Sequence, residues 1–311
     1  MQVGLIGVGK MGQGIAINLI KSGHRLVVHD IQKSQLTAAT QAGGIALNSP
    51  KEVAESSDVV LTSLPGPENV KAVCGGKKGL LASLKPGQVY FDLSTNSPTL
   101  ARKLHSAFQE AGVHFLDAPV SGGPFGAASG KLAIWVGGQE AIFNQYKALL
   151  LDIGDEVSYV GDIGAGSIAK LVHNCSGFIM YVALAETFSL GIKAGLEPDI
   201  LWETVRKGLN GRRPMFDSLA RNFLPSNYDE VDFALKLATK DCRLATELAK
   251  EHNVPMKLAN QAYDELQLGM QRGWGERDAR AFMLLQLERA GIEPPSVSKY
   301  RIDDVLGDLK N

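Results

Sequence analysis

The sequence is poor in cysteine, carries no excess of either charge and has no long apolar run. Three cysteines in 311 residues, far apart and odd in number, exclude a disulfide framework and predict reduced thiols whose role is packing. A formal net charge of −1 leaves no electrostatic footprint for nucleic acid or an anionic membrane. The six histidines lack the spacing of a metal site, so no metal is expected.

Other familiar signatures are also missing. There is no G-x-S-x-G nucleophile elbow and no G-x-x-x-x-G-K-[ST] phosphate loop, because Met11 follows Gly9-Lys10. The longest apolar stretch, residues 175–185, is shorter than the about 20 residues that a bilayer-spanning helix needs. The amino terminus does not resemble a signal peptide. We expect a soluble, cytoplasmic protein with no membrane partner.

Glycine, by contrast, is plentiful and well placed near the amino terminus. An apolar stretch over residues 2–6 leads into a G-x-G-x-x-G motif, and a helical pattern follows over residues 11–21. In such a unit the first glycine permits the tight turn, the second lets a pyrophosphate approach the backbone, and the third lets helix and strand pack closely. This predicts dinucleotide binding by the loop residues Gly7, Val8, Gly9, Lys10, Met11 and Gly12.

An acidic residue at the end of the second predicted strand indicates which dinucleotide binds. Asp30 lies 18 residues after Gly12, close to the spacing of about 20 expected for a carboxylate that accepts from a ribose 2′-hydroxyl. Such a carboxylate repels a 2′-phosphate, and neither Ile31 nor Gln32 brings an arginine to hold one. NAD is therefore the expected cofactor and NADP is disfavoured, although the nearby Lys33 leaves room for dual use.

The first half of the chain alternates strand and helix patterns. Strands are predicted over residues 2–6, 25–29, 58–63, 88–92, 114–117 and 132–136, with helices that include residues 51–56 and 98–111. This alternation predicts an α/β fold, with a Rossmann-type doubly wound parallel sheet covered by helices on both faces. Ligands of such sheets bind beyond the carboxyl ends of the strands. Contacts with the cofactor are therefore expected in the loops that follow, among them Leu64 and Pro65.

From about residue 164 the pattern becomes helical. We predict a domain boundary near residue 162, with an NAD-binding domain over residues 1–162 and an all-helical substrate and oligomerisation domain over residues 163–311. Helices are predicted near residues 167–194, 197–208, 231–252, 256–272 and 277–290, with an irregular tail after residue 291. The first of them is too apolar to lie on a surface. We expect it to be buried against a second subunit, in a homodimer or homotetramer.

Two polar residues near the start of that helix are candidates for chemistry. Lys170 and Asn174 are four residues apart and so project from one helical face. A lysine in an apolar helix is costly to desolvate unless it is paired or used, and a used lysine can serve as general acid or base. Alternatively, Lys170 extends to solvent near the helix start. The pattern alone leaves both interpretations open.

Five motifs spread along nearly the whole chain resemble the β-hydroxyacid dehydrogenase family, which includes 3-hydroxyisobutyrate dehydrogenases and semialdehyde reductases. The first is the glycine motif at residues 7–12, and the next two begin at the ends of predicted strands, at residues 92–95 and 117–123. The last two are the start of the long helix, residues 164–174, and a phenylalanine ahead of Lys-Asp, residues 233–241. Their fixed order makes the resemblance specific. It implies a 6-phosphogluconate dehydrogenase-like fold, in which an all-α domain follows the Rossmann domain.

The resemblance also implies roles for individual residues. Lys170 corresponds to the family's catalytic lysine, which protonates a carbonyl oxygen or removes a hydroxyl proton, and Asn174 to a residue that holds the substrate nearby. The other correspondences are a loop for the substrate carboxylate (Ser121, Gly122, Gly123), cofactor contacts (Thr95, Lys240) and residues that line the cleft (Phe233, Asp241). Asp241 is either an orienting group for a lysine or a carboxylate on a helix surface.

One departure from the family bears on the substrate. Residues 211–214 read Gly-Arg-Arg-Pro where several relatives have small or neutral residues. An arginine that faces the cleft can clamp a second carboxylate, a sulfonate or a phosphate. Arg212 or Arg213 is therefore a candidate for selecting a substrate with a distal anionic group. His173 and Lys131 also differ from the residues common in relatives.

The resemblance implies hydride transfer between NAD and a small β-hydroxy acid, or reduction of the matching semialdehyde, with Lys170 as general acid and base. Imine reductases share the architecture but commonly place Asp or Tyr where Lys170 stands. A third hypothesis is a non-catalytic, dinucleotide-binding scaffold. Such proteins tend to lose the lysine, and Lys170, Asn174 and Ser121 are all present here.

Overall fold

The computed structural model describes residues 1–193, 195–208, 217–251, 253 and 255–307. The chain divides into two compact units, Met1–Val172 and His173–Asn311. The division falls inside one continuous helix, so the domain boundary near residue 162 stays a prediction. Arg212 and Arg213 lie outside the described residues.

The first unit is built on a sheet whose described strands are β1 (Gln2–Ile6), β2 (Arg25–His29), β3 (Ile45–Ala46), β4 (Val59–Thr62), β5 (Val89–Asp92), β6 (His114–Asp117), β7 (Val120–Ser121), β8 (Leu132–Gly137) and β9 (Gly154–Gly161). Their order is β3-β2-β1-β4-β5-β6-β8-β7, with β9 paired to β8. The first six strands are parallel. This is the doubly wound order of dinucleotide-binding domains, and it confirms the predicted fold class.

The sheet beyond β6 differs from the prediction. Strand β8 is antiparallel to β6 and β7 and parallel to β9. Strands β3, β7 and β9 were not predicted. Each of β3 and β7 has only two residues, and β9 is largely exposed or half-buried, so none of them has the continuous apolar run by which a buried strand is predicted. Pairing with neighbouring strands, rather than local sequence, makes them strands.

Helices cover both faces of this sheet: α1 (Lys10–Lys21), α2 (Leu36–Gln41), α3 (Pro50–Glu55), α4 (Pro67–Cys74), α5 (Pro98–Glu110), α6 (Gly123–Ser129) and α7 (Glu140–Leu151). Two of them begin with a serine cap followed by proline, since Ser49 accepts from the Glu52 N–H and Ser97 from the Leu100 N–H. Because side chains alternate along a strand, Leu5 packs in the core on one face of the sheet and Ile6 in the core on the other.

The remaining described helices are α8 (Ala165–Lys193), which begins in the first unit, and α9 (Pro198–Arg206), α10 (Leu235–Glu251), α11 (Lys257–Gln271), α12 (Met283–Ala290) and α13 (Lys299–Gly307). The prediction of an irregular tail was wrong, because α13 forms there. It buries Ile302 and Val305, and the buried guanidinium of Arg206 donates to the Val305 carbonyl oxygen. Contacts distant in sequence therefore stabilise this short helix.

Helix α8 carries an apolar stretch that the described part of the chain buries only in part. Its Ala165–Ala185 part has 21 residues and a mean hydropathy of 1.4, with 33% of this stretch buried. By length and composition it could cross a bilayer, contrary to the prediction made from residues 175–185. That property alone is weak evidence, because core helices of soluble proteins share it. The exposed side chains of Val172 and Met180 leave α8 with apolar surface uncovered by the described part of the chain.

Candidate active site

In the glycine loop between β1 and α1, backbone segments lie so close together that two of the glycines leave no room for a side chain. Gly7 has a φ of +88°, and a Cβ added there would lie 2.3 Å from the Ser63 carbonyl oxygen. A Cβ added at Gly12 would lie 2.0 Å from the Gly7 carbonyl oxygen. At Gly9, by contrast, a Cβ would meet no described atom within 4 Å. The first and third glycines therefore serve the turn and the packing, whereas the second borders open space.

The amino terminus of α1 is suited to a phosphate group. The helix begins at Lys10 after Gly9, which has no side chain with which to cap it, and its first turn has no acidic residue. The first backbone N–H groups of a helix and its dipole favour an anion. Val8 is buried, Met11 is half-buried and Lys10 is exposed at this end. The loop therefore fits the pyrophosphate of a dinucleotide.

Asp30 connects the end of β2 to this loop. Its Oδ2 accepts from the Val8 N–H at 2.9 Å and its Oδ1 from the Gln32 N–H at 2.8 Å. The side chain is half-buried and the neighbouring Ile31 is 85% exposed. A carboxylate has room for about four hydrogen bonds, so Asp30 can hold the loop and still accept from ribose hydroxyls.

The loops after β4 and β5 are joined to each other at the same edge of the sheet. The Leu64 N–H donates to the Ser94 hydroxyl oxygen at 2.9 Å. This bond brings Leu64 and the exposed Pro65 close to the loop that carries Thr95, which is half-buried. Three predicted cofactor contacts therefore lie on neighbouring loops beyond the carboxyl ends of the strands.

A buried carboxylate, Asp92, lies beneath these loops. It is 1% exposed and accepts from the Thr62 hydroxyl at 2.8 Å, the Ser94 N–H at 3.0 Å and the Asn96 amide at 2.9 Å. Burial raises the pKa of the Asp92 carboxyl, and these hydrogen bonds oppose the rise. The network holds the loop that carries Thr95. Sequence reasoning used Asp92 only as part of a motif and did not assign it this position.

The Ser121-Gly122-Gly123 loop leads from β7 into α6. Gly122 and Gly123 have φ values of +136° and +62°, which residues with a side chain rarely adopt. Both glycines are exposed and Ser121 is half-buried. The backbone is therefore accessible, as a loop that binds a carboxylate requires, and that role for the loop stays a prediction.

Lys170 lies in the second turn of α8 and is 8% exposed, so the interpretation in which it extends to solvent was wrong. The start of α8 is attached to β6. The Gly164 N–H donates to Asp117 Oδ1 at 2.7 Å and the Ser167 N–H to Asp117 Oδ2 at 2.6 Å. Because Asp117 is the last residue of β6, the carboxyl edge of the sheet holds both the glycine loop and the helix start that carries Lys170.

In the second unit, Asn174, Asp241 and Lys240 form a connected polar group. Asn174 Nδ2 donates to Asp241 Oδ2 at 2.5 Å, and Lys240 Nζ lies 2.8 Å from Asp241 Oδ1. Asp241 is 1% exposed, so the interpretation as a helix-surface carboxylate was wrong. Because a carboxylate only accepts, the Asn174 amide nitrogen must face it. The Asn174 amide oxygen is then directed away from Asp241.

Phe233 belongs to the same part of the second unit. Its ring stacks on that of Phe178, with centroids 6.3 Å apart and planes at 15°. Phe178 lies one turn after Asn174 on α8. The half-buried Phe233 is therefore held near the helix that carries Asn174.

The candidate residues fall into two groups, one in each unit. The first unit holds the glycine loop, Asp30, Ile31, Leu64, Pro65, Thr95, the Ser121-Gly122-Gly123 loop and Lys170, and the second holds Asn174, Phe233, Lys240 and Asp241. Lys170 and Asn174 are one turn apart on α8, which continues from one unit into the other. Arg212 and Arg213 are outside the residues that the structure describes, so their role stays a prediction.

The cysteines have the packing role expected of them. All three are free and buried, and burial raises the pKa of the Cys74 thiol to about 12, which disfavours the reactive thiolate. In the part of the chain that the structure describes, no three His, Cys, Asp or Glu side chains group together as ligands for a metal ion.

Comparison with known proteins identifies the family. Residues 2–161 match the NAD binding domain of 6-phosphogluconate dehydrogenase, and residues 164–286 match the NAD-binding domain of NADP-dependent 3-hydroxyisobutyrate dehydrogenase. The 2-(hydroxymethyl)glutarate dehydrogenase of Eubacterium barkeri is 35% identical over 94% of this chain and 97% of that enzyme. The chain belongs to the β-hydroxyacid dehydrogenase family. The predicted family is confirmed, and with it the class of NAD-dependent oxidoreductases that act on CH–OH groups.

Other relatives of this dehydrogenase support the same family assignment. The NAD-dependent L-serine dehydrogenase of Pseudomonas aeruginosa is 33% identical over 89% of this chain and 95% of its own. The structure of a 3-hydroxyisobutyrate dehydrogenase from Salmonella typhimurium has a TM-score of 0.82 at 27% identity, covering 92% of this chain and 99% of that one. An imine reductase from Pseudomonas sp. has a TM-score of 0.60 at 16% identity, covering 92% and 99%. That likeness shows a shared fold and nothing about activity.

Proposed function

We propose that this protein oxidises a small β-hydroxy acid with NAD, or reduces the matching semialdehyde in reverse, and that Lys170 is its general acid and base. The observation that carries the proposal is the placement of Lys170. It is a lysine with 8% exposure on an apolar helix, and the first turn of that helix is attached to the sheet edge that holds the glycine loop. A lysine held at that edge can exchange a proton with a substrate bound beyond the strands.

The residues divide the work as follows. Ser121, Gly122 and Gly123 bind the substrate carboxylate through a hydroxyl and backbone N–H groups. Lys170 takes the hydroxyl proton in oxidation and returns it to the carbonyl oxygen in reduction, while Asn174 holds the substrate one turn away. When bound, NAD supplies the hydride acceptor.

The same proposal assigns the cofactor contacts. The glycine loop binds the pyrophosphate, and Asp30 with Ile31 binds the adenosine ribose. Leu64, Pro65 and Thr95 contact the cofactor from the loops after β4 and β5, and Lys240 contacts it from α10. Phe233 and Asp241 line the substrate side, where Asp241 fixes the orientation of Asn174 through their 2.5 Å hydrogen bond.

A distal anionic group on the substrate is part of the proposal, with Arg212 or Arg213 as its partner. The two arginines in sequence support it, as does the Eubacterium barkeri relative, which by its name acts on a glutarate and hence on a dicarboxylate. Replacing each arginine by alanine should lower kcat/KM for acids that carry a second anionic group and leave it unchanged for acids without one. An equal loss for both kinds of acid contradicts the assignment.

Substitution of Lys170 tests the general acid and base. Lys170→Ala should lower kcat by about 10²- to 10⁴-fold and leave the dissociation constant of NAD unchanged. Lys170→Arg is the matched control, because it keeps a positive charge but cannot exchange a proton near neutral pH, and it should be equally slow. The measurement is NADH formation by absorbance across a panel of 3-hydroxy acids. Near-normal turnover of Lys170→Ala would remove the lysine from this role.

We also propose a cytoplasmic homodimer or homotetramer. The apolar surface that α8 leaves uncovered supports assembly, because such a surface in water needs a partner. The formal net charge of −1 and the reduced, buried thiols are compatible with the cytoplasm.

A further inference from the structure

Two buried carboxylates end neighbouring strands of the sheet and hold different elements. Asp92 and Asp117 are register partners in β5 and β6, and each is 1% exposed. Asp92 holds the loop after its own strand, through Ser94 and Asn96. Asp117 instead bonds to residues 47 and 50 positions later in the chain, at the start of α8.

The bonds of Asp117 fix the first turn of α8 at two points. Each carboxylate oxygen accepts one backbone N–H, from Gly164 at 2.7 Å and from Ser167 at 2.6 Å. A carboxylate at this position satisfies N–H groups that a helix start leaves unpaired and complements the helix dipole. Ser167 is three residues before Lys170, so the attachment lies one turn from the proposed catalytic lysine.

Two glycines allow the carboxylate to be enclosed. A Cβ added at Gly137 in β8 would lie 2.5 Å from Asp117 Oδ1. A Cβ added at Gly166 in α8 would lie 2.3 Å from the Trp135 carbonyl oxygen and 3.1 Å from Asp117 Oδ2. The strand and the helix therefore close on the carboxylate from two sides, and the carboxylate has little room to move.

The charge of Asp117 is costly to bury. Desolvation raises the pKa of its carboxyl, Asp92 raises it further, and the hydrogen bonds from Gly164 and Ser167 oppose the rise. Buried charges are weak evidence for stability, because well-packed neutral residues often serve a fold as well. A fixed position for the start of α8 is what this arrangement provides beyond stability.

We propose that Asp117 is the positioning residue for Lys170. By attaching the first turn of α8 to the end of β6, it sets where the Lys170 side chain stands relative to the carboxyl edge of the sheet. This inference rests on the proposed role of Lys170. Asp117 acts through the helix.

Asp117→Asn is the first test. The amide has nearly the same shape and avoids the burial of a charge, but its NH₂ group faces one of the two N–H donors, so one bond is lost. We expect kcat to fall on the order of 10- to 100-fold, as a small misplacement of a reacting group does. The dissociation constant of NAD, measured by titration, should be unchanged. A kcat close to that of the unsubstituted enzyme overturns the proposal.

A double-variant cycle separates positioning from a general structural role. In a Lys170→Ala background, Asp117→Asn should cause no further loss of kcat, because there is no lysine left to position. A residue that only stabilises the fold would lower kcat by the same factor in both backgrounds, and that result overturns the inference. If Lys170→Ala alone keeps its turnover, the proposed function fails instead. If only Asp117→Asn keeps turnover, the positioning role fails alone.

Asp92→Asn is the matched control. It removes the same charge at the same burial from the neighbouring strand, but it loosens the loop that carries Thr95 and not α8. We expect it to weaken NAD binding, and to do so equally in the Lys170→Ala background. If Asp117→Asn weakens NAD binding as Asp92→Asn does, the two carboxylates support the sheet edge in general and the specific role of Asp117 is wrong.

A second variant covers the case in which Asp117→Asn does not fold, as judged by circular dichroism and thermal unfolding. In Asp117→Ser the shorter side chain leaves room for a water molecule between its hydroxyl and the two N–H groups. It should show the same loss of kcat with NAD binding kept. If neither variant folds, Asp117 is required for the fold itself and the positioning role is overturned.

Discussion

At position 30 a single carboxylate accepts hydrogen bonds from two backbone N–H groups, those of Val8 and Gln32, at 2.9 and 2.8 Å. The first of these bonds links the end of β2 to the glycine loop. Asp30 therefore helps to shape the glycine loop, in addition to its proposed role in the choice of cofactor. Sequence spacing predicted the second role, whereas the bond to Val8 required the fold.

Substitution of Asp30 should change the cofactor preference. Asp30→Asn removes the charge that repels a 2′-phosphate and one of two acceptors, so kcat/KM with NAD should fall by about tenfold, the equivalent of one charge-assisted hydrogen bond. The ratio of kcat/KM with NADP to that with NAD should rise. Steady-state kinetics with both cofactors measure this ratio.

Asp58 supplies the matched control for that experiment. Its carboxylate accepts from the Gln2 N–H at 2.8 Å, at the opposite end of β1 from the glycine loop. Asp58→Asn should therefore leave the cofactor ratio as it is. An unchanged ratio in Asp30→Asn, or an NADP preference in the unsubstituted enzyme, contradicts the assignment.

Among the elements, the fully buried parallel strands were the most predictable. Strands β4 and β5 are buried at every position, and a strand buried on both faces is a short apolar run in the sequence. Their predicted bounds, residues 58–63 and 88–92, exceed the observed strands by one residue at one or both ends. Because cofactors bind beyond the carboxyl ends of such strands, predicting these strands also predicted the loops around Leu64 and Thr95.

Elements that depend on distant contacts were not predictable. The bonds from Gly164 and Ser167 to Asp117 connect residues 47 and 50 positions apart, and the bond from Asn174 to Asp241 spans 67. The spacing of Lys170 and Asn174 predicted a shared helical face, yet neither the attachment of α8 nor the partner of Asn174 has a local signal. Two buried strands that both end in Asp are the one sequence feature that could have indicated Asp92 and Asp117.

For the whole molecule, α8 has apolar surface that the described part of the chain does not bury. The sheet with helices on both faces buries its own core, whereas the apolar Ala165–Ala185 stretch of α8 is only 33% buried. We propose a second copy of the chain as the partner of this surface, and a bilayer is the alternative. The buried Lys170 and the polar Asn174 lie within the same stretch, and both are costly in a hydrocarbon environment. Assembly is therefore the interpretation that fits the site.

Assembly through α8 can be tested at its exposed apolar positions. Val172 is 63% exposed, and Val172→Glu would place a charge in the proposed interface, where burying it is costly. The unsubstituted protein should sediment with the mass of two or four 33.3 kDa chains, and the variant should shift toward one chain. Ile45→Glu is the matched control, because Ile45 is 58% exposed at the β3 edge of the sheet, and it should not change the mass. A monomeric unsubstituted protein, or one that partitions into lipid vesicles, would contradict the assembly.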